Sequence, residues 1–311
     1  MFVIKYLLFL CFIIAFLPAC KHRDIVKHNG EKDLISFKAV KGIGYTEIAR
    51  RKADGLSFNA QGYYLEPQWR INFISDDSTS IYSPSREKFI NFPLTRGYDS
   101  IFNTARTWLK VKQMNKDSIK LEVLESYGDS VDTRGSKIYM ILYADNYIKN
   151  VLHSDTGILK RASRNDTLYI KQLTNIANED YRKAFAGLQP AELKSKSHFV
   201  RIKKWKTEGD LLNHFNTSDD YMSPTFDIAI NKADSNFYYS FSIFVDINGG
   251  IHYGKPLIAF FDESFRENYI QFSKAIMENY LKYYLDVKPG STLGIVHASE
   301  INVHVDGKTG R

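Results

Sequence analysis

Ile119-Lys120-Leu121-Glu122-Val123 alternates apolar and charged side chains without a break. A backbone that turns successive side chains to opposite faces makes such a run a strand, one face on a core and the other in water. Trp69-Arg70-Ile71-Asn72-Phe73 repeats the pattern upstream. Polar clusters at Asp76-Asp77-Ser78, Asn115-Lys116-Asp117 and Tyr127-Gly128-Asp129 supply the turns that such strands need. Lys137–Tyr143 is apolar on both faces through Ile138, Met140, Ile141 and Leu142, as in a strand covered on both sides. Residues 56–190 are therefore expected to form an antiparallel β-rich domain, barrel-like or sandwich-like. A short helix from Asn178 to Ala186, capped by Asn178 and stopped at Gly187, is expected to close it.

Downstream, Gly187-Leu188-Gln189-Pro190 and the Lys/Ser-rich run to Ser197 mark a boundary before a second domain, 198–311. Thr225–Asn231 and Phe237–Val245 read as strands, and Asn248-Gly249 as a hairpin turn with φ > 0 at both positions. The longest helix is expected from Glu263 to about Asp286, opened by a capping box between Ser264 and Glu267. Phe265, Tyr269, Phe272, Ile276, Tyr280 and Tyr283 recur along it at helical spacing, a stripe wide enough to lie across a sheet. Pro289-Gly290 ends it, and Ile295–Val305 returns as a strand. On that strand Ile295, Ile301, Val303 and Val305 should face the helix, and Glu300, Asn302 and His304 water. The expected fold is α+β: a β-rich domain, then a C-terminal α+β domain with one long helix on a small antiparallel sheet.

At the other end, Lys5 precedes an apolar run from Tyr6 to Leu17. Twelve helical residues rise about 18 Å, short of a bilayer core of roughly 30 Å, so the run has the layout of a secretory signal. Leu17-Pro18-Ala19-Cys20 resembles the lipobox of bacterial lipoproteins. The resemblance implies a signal peptide over residues 1–19 and lipid on Cys20; an uncleaved anchor or an ordinary signal peptide is the alternative. Residues 20–55, polar and little periodic, read as a tether with one short amphipathic element at Thr46–Ala53. Lys21-His22-Arg23 follows Cys20 in place of an acidic cluster. The expected location is thus the envelope of a Gram-negative bacterium, lipid-anchored in the outer membrane and facing the periplasm. Cys11 leaves with the signal and Cys20 is consumed by lipid, so no disulfide is expected.

The length of 311 residues suggests two domains, and 44% hydrophobic with 25% charged residues describes a folded chain. A net charge of +7 is modest for this length. It suits anionic headgroups or acidic glycans, and nucleic acid is not expected as a partner.

In the C-terminal region, Phe244-Val245-Asp246-Ile247-Asn248-Gly249 is followed by the long helix, Lys288-Pro289-Gly290, Gly294-Ile295-Val296 and Ile301-Asn302-Val303. This order of strand, turn, helix, Pro-Gly and final strand is similar to the C-terminal domain of TonB-like proteins. The resemblance implies that fold and peptide binding, with the last strand as an accessible edge that receives a partner strand.

Chemistry is sparser. Phosphate loops, dinucleotide fingerprints and a Gly-x-Ser-x-Gly elbow are absent from the sequence, and no catalytic residue, cofactor or metal is expected. His297 and His304, seven apart on one expected strand, should point to opposite faces. The pairs Asp76-Asp77 and Asp219-Asp220 read as solvated turns. The densest basic run spans Lys194 to Lys206. If Val200 and Ile202 face inward, Phe199, Arg201, Lys203 and Trp205 share the outer face, a mixture suited to stacking on rings and pairing with anions. A solvated edge strand guarded by lysines fits the same residues. With Glu300, Asn302 and His304, these are the candidate binding residues. The expected role is non-catalytic binding of a protein or glycan partner; an envelope hydrolase with a site assembled from scattered residues is the alternative.

Overall fold

The computed structural model describes residues 34–127, 130–208, 211–212 and 218–310. The alternating runs become a closed barrel of eight strands: β1 (Gly44–Lys52), β2 (Arg70–Ser75), β3 (Ser78–Ser83), β4 (Lys88–Arg96), β5 (Ile101–Thr104), β6 (Thr107–Met114), β7 (Ser118–Leu124) and β8 (Ile138–Ala144). Each pairs antiparallel with its successor and β8 returns to β1, an up-and-down meander without an open edge. Ile71, Phe73, Ile119, Leu121, Met140 and Leu142 point into the lumen and are at most 1% exposed. An eight-stranded barrel is just wide enough for side chains to fill. Here Phe37 completes the filling, stacked on Phe73 at 4.4 Å and edge-on to Phe102 at 5.0 Å.

Phe37 and Val40, beside a 3-10 turn at Lys38–Val40, are fully buried, and β1 supplies the strand that closes the barrel. Residues 35–52 are thus not the tether expected from sequence, and Thr46–Ala53 falls mostly on a strand. Burial of these side chains outweighs the local polarity, because the barrel needs an eighth strand to satisfy two rows of backbone groups. The signal segment and Cys20 lie outside the described residues.

Three helices follow: α1 (Asp145–Asn150), α2 (Thr156–Leu159) and α3 (Arg164–Glu179). Ile148 of α1 packs on Ile48 and Ala49, so β1 is covered on both faces. The helix expected at Asn178–Ala186 is displaced upstream. A capping box between Ser163 and Asp166 starts α3, and Asn178 lies in its last turn, accepting the Ala298 N–H at 3.0 Å. The box satisfies two orphan donors at once and so outcompetes the Asn178 and Gly187 signals.

The remainder includes β9 (Glu192–Ser195), β10 (Val200–Lys204), α4 (Asp219–Met222), β11 (Thr225–Asn231), β12 (Phe237–Val245), β13 (Ile251–Pro256), α5 (Glu263–Ile276), a π turn (Met277–Leu281), α6 (Lys282–Tyr284), β14 (Leu285–Lys288) and β15 (Ser299–Lys308), with a short hairpin of Ser291–Thr292 and Ile295–Val296 before the last of them. Five of its strands form a sheet in the order β10-β11-β15-β12-β13. Phe241, Ile243, Ile301, Val303 and Val305 face a core closed by Ile276, Met277 and Leu281 of the long helix. The α+β class stands, with two corrections. The sheet is mixed: β15 runs parallel to β11 and antiparallel to β12. β11 and β12 run in opposite directions, so a strand inserted between them must be parallel to one. And β15 is the centre of the sheet, with both rows of backbone groups paired, which removes the last strand as an edge for peptide addition.

Smaller differences have local causes. Asp262, not Ser264, caps α5 by accepting the Phe265 N–H at 2.8 Å. The long helix stops at Tyr284 because the chain is captured in an antiparallel pair between β14 and β9. That pair and the Gln189–Ser291 bridge hydrogen-bond the stretch around Pro190. At the hairpin only Gly249 has positive φ, since the Asp246 carboxylate takes the N–H groups of Asn248 and Gly250 and widens the turn.

Candidate functional site

On the edge strand β10, Val200 is buried and Ile202 packs on the same core. Period two then turns Arg201, Lys203 and Trp205 to the opposite face of the sheet. The Trp205 N–H still pairs with the Thr225 carbonyl at 2.9 Å, which holds the indole past the end of β10. Its ring lies on His304 of the central strand, centroids 5.2 Å apart and planes 29° from parallel. The Tyr238 ring, on β12, is parallel to His304 within 1° at 6.4 Å. His304 is fixed from beneath: its Nδ1 shares a 2.7 Å hydrogen bond with the hydroxyl of Ser240, which is 4% exposed. The outer members of this aromatic row remain in solvent, Trp205 at 51% and Tyr238 at 64% exposure.

Polar groups frame the row. Asp227 of β11 stands in register with both His304 and Lys203. Asn302, one step along the same face, lies between Thr225 and Ser242. Beside Trp205 opens a cleft of about 320 Å³ lined by Trp205, Thr207, Asp219, Asp220, Ser223 and Thr225. The Asp220 carboxylate accepts the Thr207 N–H at 2.7 Å, fixing one wall. Burial pushes the Lys204 ammonium down, against the opposing charge of Asp220. A wider hollow of about 600 Å³ adjoins Tyr238 and Asp306.

Of the residues singled out from sequence, the fold thus brings Lys203, Trp205, Asn302 and His304 onto one face. Arg201 lies further along β10, opposite Ala229. Phe199 is separated: its ring packs against His198 at 3.8 Å and lies under the Lys232 ammonium at 4.2 Å. Glu300 sits opposite Phe244, at the end of the sheet covered by Tyr181. Tyr238, Ser240 and Asp227 were not singled out, although Phe237-Tyr238-Tyr239-Ser240 places an aromatic on the polar face of an alternating strand. Asp219 and Asp220 line the cleft rather than a plain turn. Asp76 is structural, accepting the Phe37 N–H at 2.6 Å.

The arrangement offers ring stacking and hydrogen bonding. The buried Ser240 hydroxyl is engaged at Nδ1 and positions the imidazole. Among the described residues no group of three or more His, Cys, Asp or Glu side chains is placed to hold a metal ion.

His297 precedes β15 and is fully buried, stacked on Phe185 at 3.7 Å. Its Nδ1 lies 2.9 Å from the Ala298 carbonyl, which only accepts, so Nδ1 carries the proton and Nε2 accepts from the Thr292 hydroxyl at 3.0 Å. Burial holds this imidazole below its ordinary 6.5. Between about pH 6.5 and the folded value, only the unfolded chain takes up the proton. The stability carried by neutral His297 is therefore complete above that range and is lost as pH falls through the folded value. Urea midpoints measured from about pH 7 to about pH 5 should fall less steeply for His297→Gln than for the wild type; equal slopes would assign the pH dependence elsewhere.

Compared with family models, curated proteins and solved structures, the chain matches none.

Proposed function

We propose that this chain is a lipid-anchored protein of a Gram-negative cell envelope, held in the outer membrane facing the periplasm, whose C-terminal sheet binds a glycan without transforming it. The observation that supports the reading is the aromatic row Trp205–His304–Tyr238, solvent-exposed at its ends and flanked by a cleft of hydroxyl and carboxylate groups. A ring presents an apolar face and a rim of polar groups, and an aromatic platform bordered by hydrogen-bonding side chains matches both. A protein partner would instead add a strand along the outer edge of β10, where Arg201 and Lys203 discourage pairing.

Trp205→Ala should lower retention on purified peptidoglycan or chitin by about tenfold, the scale of one lost ring-stacking contact. Its thermal unfolding should be unchanged, because the indole is half in solvent. Retention equal to the wild type's would remove the platform as the binding surface.

The anchor has a separate test. Cys20→Ala should abolish acyl labelling and release the secreted chain into the soluble fraction, since two or more acyl chains are what make such anchoring stable. No described helix is long and apolar enough to cross a membrane. Unchanged membrane retention of the variant would place the anchor elsewhere.

A further inference from the structure

We infer that an aromatic flank of the C-terminal region, ending at Phe261, inserts into the boundary between headgroups and acyl chains of a phospholipid bilayer. It would give the folded part of the chain a second contact with the membrane, beside the lipid proposed for Cys20, and it does not use the glycan surface. The apolar stripe of the long helix is wider than the sheet covers. Tyr269 and Ile276 are buried, whereas Phe265 and Phe272, on the neighbouring flank of α5, are each more than half exposed. Ring contacts extend that flank on both sides. Phe260, in the link from β13 to α5, lies 5.8 Å from Phe265 and 5.2 Å from Tyr269, and Tyr239 of β12 lies 6.3 Å from Phe272. In the same link Ile258 is exposed and Phe261 wholly so. A contiguous exposed apolar area of this kind marks contact with a partner or a membrane.

Charge and shape then favour lipid. Phe265, Asn268, Phe272 and Ala275 follow one another at helical spacing, and none is charged. The same period puts Glu263, Glu267 and Lys274 on the opposite side of α5. Arg266 pairs with Glu263, and the Lys274 ammonium lies over the Tyr253 ring at 5.6 Å. Lys255, Arg266 and Lys274 balance Asp262, Glu263 and Glu267 in sign, so the flank fits a surface that is apolar and needs no net charge. The Phe261 ring projects fully into solvent. A fluid bilayer closes round a projecting ring, where a folded partner would need a pocket shaped to it, and aromatic side chains favour that boundary. Lipid on Cys20 would also bring the bilayer within reach, because the fourteen residues from Cys20 to Leu34 span at most about 50 Å.

The test uses the secreted Cys20→Ala chain, which has no lipid of its own, and vesicles of phosphatidylcholine with or without phosphatidylglycerol, read by co-sedimentation. The chain should sediment with both kinds of vesicle to the same extent, and added salt should not release it. Phe261→Ser with Phe265→Ser should lower the partition roughly tenfold or more, as expected when two rings no longer leave water. Thermal unfolding of that variant should be unchanged, because both side chains are exposed. Trp205→Ala should sediment like the Cys20→Ala chain itself. A Phe261→Trp indole should be quenched by lipids brominated on the acyl chains. Absence of sedimentation, sedimentation that survives the double Ser change, or an unquenched indole overturns the inference. Binding that needs phosphatidylglycerol and is lost in salt overturns it in favour of the basic residues. A dimer in vesicle-free ultracentrifugation that the double Ser change dissolves overturns it in favour of a second copy. Acyl labelling of the unaltered chain tests the lipid on Cys20 separately, so either reading can fail without the other.

Discussion

Glu47→Ala should destabilise the chain by about 3–5 kcal/mol, the range for removing one partner of a buried ion pair. The Glu47 side chain is wholly buried in the wall of the barrel. It takes two hydrogen bonds from the Arg50 guanidinium, Nε at 2.7 Å and Nη2 at 2.9 Å. It also accepts the backbone N–H groups of Gln68 at 2.9 Å and Trp69 at 3.0 Å, which pins the chain entering β2. Truncation therefore takes the carboxylate from a buried guanidinium and an acceptor from one buried and one part-buried backbone donor, at a cost in desolvation. Replacing both members, Glu47→Leu with Arg50→Leu, should recover part of the loss, because two apolar side chains carry no charge into the interior. Urea unfolding decides the matter. A loss below about 1 kcal/mol for the single variant would mean that water reaches the pair.

The second large effect is expected at Asp166, also fully buried. Its carboxylate works for three elements at once. It closes the capping box of α3 through the Ser163 N–H at 3.0 Å, accepts the Ser57 N–H at 2.7 Å, and pairs with Arg51 of β1 at 3.3 Å. Asp166→Ala removes a helix cap worth about 1 kcal/mol together with a buried charge partner, for a total of about 3 kcal/mol. Asp166→Asn keeps part of the acceptor set and should lose less. Hydrogen exchange should speed first in the opening turn of α3, since that is where the orphan donors reappear. Uniform exchange changes across the whole chain, with α3 no faster than the barrel, would contradict a local role.

Both residues show why the barrel was only partly legible. Ile119–Val123 and Trp69–Phe73 declare their faces locally, because period two depends on nothing beyond the strand itself. β1 does not. Glu47, Arg50 and Arg51 give it the look of a polar tether, and Glu47 and Arg50, three apart, belong on opposite faces of a regular strand. The register shift between Glu47 and Ala49 inserts an extra residue, which brings them onto one side where they neutralise each other. The hairpin at Ala105-Arg106 is similarly mute: both residues adopt positive φ, at 48° and 62°, without a glycine or asparagine to announce it. The flanking pair of β5 and β6 imposes the turn.

The candidate site divides the same way. That Val200 and Ile202 face inward, leaving Lys203 and Trp205 outside, and that Ile301, Val303 and Val305 oppose Asn302 and His304, followed from side-chain alternation alone. Which strands stand side by side did not. Trp205 meets His304 only because β15 enters between β11 and β12, and the same insertion turns an expected edge into the central strand of the sheet. Alternation is a property of each strand and travels with its residues. Strand order, bulges and the pairing of buried charges depend on the free energy of the assembled core, in which Asp166 and His304 find partners far away in the chain.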